Sequence, residues 1–231
     1  MVRKIVVLLG HPGAGKGTQA KEIRRLLNIP QVSTGDMLRD AIVRQTAYGK
    51  EAKERMDAGH LVEDAIVNGI VVERIAESDC KAGFILDGYP RTVQQAETFK
   101  SELRAKDRMF VIEIVADGAS VVDRLVGRLM CSGCGDIYNK YSRAPLAKGL
   151  CDRCGEPLVT RSDDRQDLIQ ERFKQYQDET YPLIDYFAKK GCYHRVDGMR
   201  PILEVTKDIL TIVDADAALY SVRKGGKKSL A

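Results

Sequence analysis

The amino-acid sequence predicts an α/β fold in which helices cover both faces of a five-stranded parallel sheet. Short apolar runs alternate with longer helical patterns, which is typical of parallel strands joined by helical crossovers. The first apolar run, residues 4–9, leads directly into a glycine-rich loop and then a helical pattern. Two stretches, residues 34–62 and 125–164, interrupt the alternation. We expect both to be insertions at the carboxyl ends of the strands, where ligands bind in such sheets.

Five apolar runs carry the strand pattern, and helical patterns separate them. The predicted strands lie near Lys4–Leu9, Gln31–Val32, Phe84–Leu86, Met109–Val115 and Cys192–Val196. The predicted helices begin near Lys16, Gly35, Glu63, Thr92, Ala119, Asp164 and Pro201. Right-handed crossovers between successive parallel strands complete the predicted topology.

The two interruptions divide the chain into a core, two insertions and a tail. The core is predicted to comprise residues 1–33, 63–124 and 165–219. Residues 34–62 carry short helices without a strand, whereas residues 125–164 carry two cysteine pairs and many glycines. Residues 220–231 form a basic tail, which we expect to be a solvated end.

The charge of the chain does not predict a nucleic-acid-binding face. Four of its 37 basic residues lie in the last nine positions, and the remainder equal the 33 acidic residues in number. No apolar run approaches the roughly 20 residues of a membrane span. We therefore expect no nucleic-acid or membrane partner, and a monomer by default. The six cysteines, most of them in two C-x-x-C pairs, are too sparse for an exported disulfide scaffold and favour the reducing cytoplasm.

The loop after the first strand has the pattern of a phosphate-binding site. The segment from Gly10 to Thr18, GHPGAGKGT, matches G-x-x-x-x-G-K. Backbone N–H groups of such a loop converge on phosphate oxygens, and Lys16 adds a cation. Gly17 stands where a Ser or Thr usually ligates magnesium, so either Thr18 replaces that ligand in part or the metal keeps its waters. We expect the His11 side chain to face solvent and to have no catalytic role.

The four cysteines Cys131, Cys134, Cys151 and Cys154 have the spacing of a zinc ribbon. Four thiolates fill a tetrahedral shell and leave no position for a catalytic water, so the predicted site is structural. Three alternatives remain open on the sequence alone. The cysteines form two disulfides, the ribbon binds nucleic acid, or iron or cobalt replaces zinc.

Three further segments, taken with the phosphate loop, resemble one enzyme family. They are Ser33–Arg39 (STGDMLR), Leu86–Arg91 (LDGYPR) and Thr160–Asp164 (TRSDD), the last followed by Arg172. Their order and spacing are similar to those of the long-lid adenylate kinases over residues 1 to about 213. The resemblance implies a P-loop nucleotide kinase fold, with residues 34–62 as the NMP-binding insertion and residues 125–164 as a zinc-binding lid. It implies the reversible reaction ATP + AMP = 2 ADP with Mg²⁺, in the service of purine nucleotide homeostasis.

The same resemblance assigns residues to each nucleotide. ATP is expected to contact Gly13, Ala14, Gly15, Lys16, Gly17, Thr18, Arg124, Arg128, Ile137, Tyr138 and Arg200. AMP is expected to contact Thr34, Arg39, His60, Leu61, Val62, Gly88, Arg91, Gln95, Arg161 and Arg172. The expected catalytic residues are Lys16, Arg39, Arg91, Arg128, Arg161, Arg172 and Asp87. Guanidinium groups suit this task because each presents a planar set of donors that matches phosphate oxygens.

Some of these residues also have a plainer interpretation. Gln95 either reads the adenine of AMP or is a surface amide of its helix. Asp87 is expected to order the water shell of magnesium, because it lies too early in the chain to cap the next helix. Asp163 and Asp164 either cap the following helix or act at the lid hinge and near the metal. His194 is interpreted as structural, since a phosphate acceptor is already anionic and needs no general base.

Three other functions remain possible at this point. A kinase for UMP or CMP would usually have a shorter lid. A GTP:AMP phosphotransferase differs only in the donor base, which backbone near Gly198–Arg200 would recognise. A nucleotide-regulated nucleic-acid-binding protein would use the zinc ribbon, but the balanced charge of the chain argues against it.

Overall fold

The computed structural model describes residues 2–225, with side chains up to Asp214. In chain order the elements are β1 (Lys4–Leu9), α1 (Lys16–Leu27), β2 (Gln31–Ser33), α2 (Thr34–Val43), α3 (Ala47–Asp57), α4 (Asp64–Ala76), β3 (Gly83–Asp87), α5 (Val93–Lys100), β4 (Arg108–Val115), α6 (Gly118–Val126), β5 (Arg128–Cys131), β6 (Ile137–Asn139), β7 (Leu158–Val159), α7 (Gln166–Gln175), α8 (Pro182–Lys189), β8 (Tyr193–Asp197) and α9 (Ile202–Gly225).

Five strands form the main sheet in the order β2-β3-β1-β4-β8, and every neighbouring pair is parallel. The predicted five-stranded parallel sheet is confirmed, with strand ends that differ from the prediction by at most one residue. Because β1 lies in the middle of this order, the loop that follows it emerges at the centre of the sheet edge. A ligand bound there is within reach of residues that follow β3 on one side and β4 on the other.

The side chains of β1 divide the apolar core into two layers. Ile5, Val7 and Leu9 pack with the buried residues of α4, α5 and α8 on one face. Val6 and Leu8 pack with α1 and α9 on the other face. This alternation follows from the two-residue period of a strand, and all five side chains are at most 3% exposed. The continuous apolar run of β1 is therefore the expected signature of a strand covered on both faces.

Side-chain caps fix where four of the helices begin. Ser33, Thr46, Thr92 and Asp117 each accept a hydrogen bond from the backbone N–H three residues further on. These caps satisfy N–H groups that have no partner within the helix. Thr92, and not Asp87, caps α5, which leaves the Asp87 carboxylate available at the edge of the sheet.

The segment after residue 160 contains a break that the sequence analysis missed. We predicted a single helix beginning near Asp164, but a short 3₁₀ turn precedes α7, which begins at Gln166. After α7, a π-helical turn at Tyr176–Thr180 separates it from α8. Pro182 is the first residue of α8, and its missing N–H is the local signal for a helix that starts afresh there.

Two small units lie outside the main sheet. Between β2 and α4, helices α2 and α3 pack closely at Gly49, where an added Cβ would lie 2.0 Å from the carbonyl oxygen of Ala41. Between α6 and α7, three short antiparallel strands form a second sheet in the order β6-β5-β7. This sheet spans residues 128–159, within the predicted insertion of residues 125–164. We call the three-stranded unit the lid. We predicted a hairpin here, and the structure adds a third strand.

Helix α9 extends to Gly225 and so includes the first residues of the predicted basic tail. Lys227 and Lys228, the other basic residues of that tail, lie outside the described residues. Among the described residues, none of the helices combines the length and the apolar character that crossing a membrane requires.

Candidate active site

A cavity of about 630 Å³ opens at the carboxyl edge of the main sheet, between the core, α2–α3 and the lid. Its volume falls in the range typical of small-molecule sites. Every residue predicted to contact ATP or AMP lines this cavity, and so does Asp87. The structure therefore brings together, from three parts of the chain, the side chains that the sequence motifs singled out.

The phosphate loop needs glycine at two positions for steric reasons. Gly10 and Gly13 have φ values of +135° and +85°, which side chains rarely adopt. A Cβ at Gly10 would lie 2.4 Å from the carbonyl oxygen of Ile114, and one at Gly13 would lie 2.7 Å from that of Val121. The backbone of the loop thus packs directly on β4 and α6.

Lys16 lies in this loop, and no carboxylate among the described residues forms an ion pair with it. Its Nζ donates to the carbonyl oxygens of Gly10 and His11, at 2.6 and 2.9 Å. Burial in the cavity wall is the main cause that lowers the pKa of Lys16 to about 7; Asp87 opposes this shift, and Arg91, Arg172 and Arg128 add to it. A lysine in this state is poised to regain its proton when phosphate groups arrive.

Eight arginines line the same cavity: Arg39, Arg91, Arg124, Arg128, Arg143, Arg161, Arg172 and Arg200. Burial, followed by repulsion from Arg128 and Arg39, lowers the pKa of Arg161 to about 10. Such a concentration of positive charge is unfavourable by itself and becomes favourable when several phosphate groups fill the cavity.

Two aspartates hold part of this charge in place. Asp164, whose side chain is 4% exposed, accepts from Arg128 Nε at 2.6 Å and from Arg172 Nη1 at 2.8 Å. Arg172 also donates to the carbonyl oxygen of Asp163 at 2.8 Å. Burial alone would raise the pKa of Asp163, but Arg172 and the other nearby arginines hold it below its usual value. Neither carboxylate caps α7; Asp163 pairs with Arg172, and Asp164 pairs with Arg128 and Arg172.

Arg124 and Arg200 differ from the other cationic residues of the site. Arg124 Nη2 donates to the carbonyl oxygen of Gly198 at 3.1 Å, and Nη1 lies 3.5 Å from that of Ala14. Arg124 therefore bridges the phosphate loop and the loop that follows β8. The Arg200 side chain forms ion pairs with Glu204 and Asp208 on α9.

On the opposite side of the cavity, Gln95 is buried and fully oriented. Only 1% of it is exposed, so it is not the surface amide of the plainer interpretation. Its Nε2 donates to Asp64 Oδ1 at 2.7 Å, and its Oε1 accepts from the Arg91 N–H at 2.7 Å. The sequence analysis missed Asp64, which also accepts a hydrogen bond from Thr92. No motif marks Asp64, and only the packing of α4 against α5 reveals its role.

Asp87 ends β3 beside the phosphate loop. Its Oδ2 accepts a hydrogen bond from Gln31 Nε2 at 2.9 Å. A Cβ at Gly17 would lie 3.4 Å from the same carboxylate oxygen and 3.3 Å from Ile137 Cδ1 of the lid. The carboxylate thus stands next to the position where the sequence lacks the usual metal-binding hydroxyl, and a hydrated divalent cation fits this donor set.

The prediction that the His11 side chain faces solvent was wrong. Its ring packs against Tyr176, with centroids 4.0 Å apart, and meets Phe173 edge-on at 5.6 Å. Its Nδ1 is buried and has no hydrogen-bond partner among the described residues. Burial and the charge of Lys16 lower the pKa of His11. No local pattern marks these contacts, because both aromatic partners lie more than 150 positions further along the chain.

The four cysteines of the lid converge as their spacing predicted. All four Sγ atoms lie within 4.8 Å of one another, with Cys131–Cys154 at 3.3 Å and Cys134–Cys151 at 3.6 Å. These separations are too long for disulfides, whose sulfur atoms lie about 2.05 Å apart. They are close to the roughly 3.8 Å between ligands of a tetrahedral thiolate site with about 2.3 Å bonds. The cluster therefore could hold one metal ion.

Tyr138 connects the cysteine cluster to the cavity. Its hydroxyl lies 3.6 Å from Cys151 Sγ and accepts from the Asp152 N–H at 2.9 Å, while its residue also lines the cavity. The Arg143 guanidinium lies 5.3 Å above its ring. Tyr138 thus contacts the cysteine cluster and also lines the cavity, so a change in the cluster can affect the cavity through this residue.

Comparison with known protein families decides the relationship of the chain. The family model described as "Adenylate kinase" matches residues 8–192. The chain belongs to the adenylate kinase family. It is 46% identical to the adenylate kinase of Archaeoglobus fulgidus, over 90% of this chain and 97% of that one. It is also 49% identical to the enzyme of Rhizobium rhizogenes and 43% identical to that of Thermosipho africanus, over 90% of this chain and 98% of each. The expectation drawn from the motifs is confirmed.

Proposed function

We propose that the protein catalyses reversible phosphoryl transfer between ATP and AMP to give two molecules of ADP. The observation that carries the proposal is one cavity that holds a phosphate loop with its lysine together with eight arginines. A single nucleotide does not need so many cations, whereas two nucleotides joined at their phosphates do. Phosphoryl transfer requires mainly positioning and charge neutralisation, which these residues supply.

Each group of residues has a distinct part in this reaction. The N–H groups of the phosphate loop and Lys16 bind the donor phosphates, and Arg124 lies between that loop and the donor base. Arg39 and Arg91 bind the AMP phosphate. Arg128, Arg161 and Arg172 neutralise the transferring phosphoryl group. Asp163 and Asp164 hold arginines of this group in position. The attacking AMP oxygen is already ionised, so no side chain has to remove a proton.

The acceptor base is selected by the buried amide of Gln95, together with Thr34 and the wall at residues 60–62. Thr34 Oγ1 donates to the Gly88 carbonyl oxygen at 2.8 Å, which fixes the hydroxyl at the cavity edge. Asp64 and the Arg91 N–H fix which end of the Gln95 amide is the donor and which the acceptor. An amide held in this way presents one remaining N–H and one remaining lone pair, the pair of groups that complements the Watson–Crick edge of adenine.

Two metals belong to the proposal. Asp87 and Thr18 would hold the water shell of a nucleotide-bound Mg²⁺, which would supply charge neutralisation at the phosphate oxygens. Zn²⁺, one ion per chain, occupies the four-cysteine cluster as a structural ligand of the lid. Iron or cobalt in the same cluster would be recognised by elemental analysis.

The insertions act as two covers over the substrates, with residues 34–62 closing over AMP and residues 125–164 over ATP. In the described structure they touch, since Arg161 Nη2 lies 3.5 Å from Asp36 Oδ1 and Ser162 Oγ lies 3.5 Å from Asp57 Oδ1. Closure excludes water, which would otherwise compete with AMP for the phosphoryl group. We place the enzyme in the cytoplasm, because its six thiols are unpaired. A monomer is the default assembly state.

The test is a comparison of nucleotide pairs with the purified full chain. ADP formation should be fastest with ATP and AMP, and much slower when CMP or UMP replaces AMP. Equal rates with all three monophosphates would identify a different nucleoside monophosphate kinase. Faster AMP phosphorylation by GTP than by ATP would identify a GTP:AMP phosphotransferase. Absence of transfer from either donor would contradict the proposal.

A further inference from the structure

His11 belongs to the phosphate loop, and its side chain packs against the end of α7. Its ring and that of Tyr176 are tilted by 41° with centroids 4.0 Å apart, which is close aromatic packing. Phe173, one turn earlier on α7, meets the same ring edge-on. Neither His11 Nδ1 nor the Tyr176 hydroxyl has a hydrogen-bond partner among the described residues. The contact is therefore made by the rings themselves, not by a hydrogen bond.

His11 also belongs to the phosphate loop through its backbone. Its carbonyl oxygen accepts a hydrogen bond from Lys16 Nζ at 2.9 Å. The neighbouring backbone is fixed by Gly10, whose position against Ile114 excludes any side chain. One residue thus contacts the phosphate-binding lysine on one side and α7 on the other.

The helix at the other end of this contact carries a catalytic arginine. Arg172 precedes Tyr176 by four residues, so both lie on the same face of the helical segment. Tyr176 begins the π-helical turn, in which the Tyr181 N–H donates to its carbonyl oxygen at 2.8 Å. Arg172 in turn donates to Asp163 and Asp164 at the base of the lid. The His11–Tyr176 stack therefore links the phosphate loop to the helix that leads into the lid.

The charges around His11 favour its neutral form. Burial and Lys16 lower the pKa of the imidazole, and Glu113 on β4 opposes them. The Glu113 carboxylate already accepts a hydrogen bond from the Tyr193 hydroxyl on β8. Near neutral pH the ring is thus an uncharged aromatic surface, suited to packing.

We propose that His11 is a positioning residue, which stacks on Tyr176 and thereby holds Lys16 and Arg172 at a fixed separation across the cavity. This inference rests on the proposed phosphoryl transfer, because its main consequence is kinetic. The reacting phosphates must meet both cations at once, and small displacements of either lower the rate of the chemical step.

The test is a double-mutant cycle on the stack. His11→Ala and Tyr176→Leu should each lower kcat by roughly threefold to tenfold, the effect of losing one aromatic pair, with little change in KM. The double variant should be no slower than the worse single variant, because both changes break the same contact. His11→Phe should restore most of the lost kcat, and Tyr176→Phe should be neutral. Amide hydrogen exchange of residues 10–16 should accelerate in His11→Ala and Tyr176→Leu alike.

A control separates positioning from loss of stability. Tyr186→Leu removes a comparable aromatic pair, Tyr186–Phe187 at 5.0 Å, away from the cavity. It should lower the melting temperature and leave kcat unchanged well below that temperature. Unchanged kcat in His11→Ala, additive losses in the double variant, or no recovery in His11→Phe would each overturn the proposal. Absence of turnover in the unmutated chain would contradict the proposed function instead, and the exchange measurement would still test the link.

Discussion

Lys16 is the one cation of the phosphate loop, and its environment makes its contribution measurable. Lys16→Met should lower turnover by roughly 100- to 1000-fold, the usual effect of removing one charge-stabilising donor. The fold should be preserved, because methionine retains most of the aliphatic stem. Steady-state kinetics with circular dichroism check both expectations. Lys81→Met, at an exposed lysine far from the cavity, is the control. Near-normal turnover in Lys16→Met would mean that the loop does not bind the transferring phosphates.

Gln95 should determine the preference for AMP. Gln95→Ala removes the oriented amide, so the ratio of kcat/KM for AMP to that for CMP should fall by at least about tenfold, as expected when a buried polar contact is lost. The KM for ATP should change much less. The variant should also be less stable by about 1–3 kcal/mol, since Asp64 and the Arg91 N–H lose a buried partner.

The neighbouring Gln94 provides a matched control for this experiment. It belongs to the same helix but is exposed, so Gln94→Ala should change neither specificity nor stability. If Gln95→Ala discriminates between AMP and CMP as well as the unmutated protein does, the amide does not read the base.

The residues that the sequence predicted correctly and those it missed differ in a physical way. Lys16 and the arginines stand in local motifs, where spacing along the chain reflects what the phosphates require. Asp64 and His11 act through partners on other helices, and no local pattern records such contacts. His11 was misjudged because a loop position suggests exposure. In the structure its ring packs against Tyr176, which is distant in the sequence.

The lid has a smaller apolar core than either face of the main sheet. Its buried cluster consists of Cys131, Tyr138 and Cys151, so two of its three members are metal-ligand candidates. Replacing Cys131 and Cys134 by serine should release about one zinc per chain and lower the melting temperature, because metal binding and folding of such a unit are linked. Much of the activity should survive at low temperature, since the arginines lie outside the metal shell. Metal analysis, melting temperature and turnover are measured on the same preparations.

Cys192→Ser is the control for the lid variant, because Cys192 lies next to β8 and outside the cluster. It should retain the metal and full activity. Two results would contradict the structural role: no metal in the unmutated protein, or complete loss of activity in a double variant whose lid is still folded.

At the level of elements, the main sheet was predictable and the α7–α8 segment was not. Strands such as β1 are covered on both faces, which leaves a continuous apolar run in the sequence. The π-helical turn at Tyr176–Thr180 has no such signature, since its residues are ordinary helix formers and only Pro182 hints at a break. The third strand of the lid was missed because β7 is only two residues long.

The whole molecule is arranged around a cavity with an excess of positive charge, which predicts a proton linkage. Burial lowers the pKa of Lys16 to about 7, well below its usual value. Bound phosphates should return that pKa toward normal, so nucleotide binding above pH 7 should take up protons and weaken as pH rises. At about pH 8.5, where nucleotide phosphates are fully ionised, uptake should be roughly one proton per chain.

Calorimetry in buffers of different ionisation enthalpy measures this uptake. The probe is an inhibitor in which a pentaphosphate joins two adenosines, because it fills both halves of the cavity at once. Lys16→Met is the informative comparison, since it should bind the inhibitor more weakly and without the proton. Equal proton uptake by both proteins would assign the linkage to another group.

The lid leaves and re-enters the core through adjacent strands. Met130 on β5 lies opposite Val159 on β7, and Cys131 lies opposite Leu158. The segment between these pairs therefore begins and ends at neighbouring positions. If it were removed, a tight turn would be enough to connect β5 to β7. A change in the length of this segment would therefore leave the parallel sheet untouched. Substrate enclosure and metal dependence can thus evolve separately from the phosphate-binding core, and the lid is a natural unit for grafting onto a relative that lacks it.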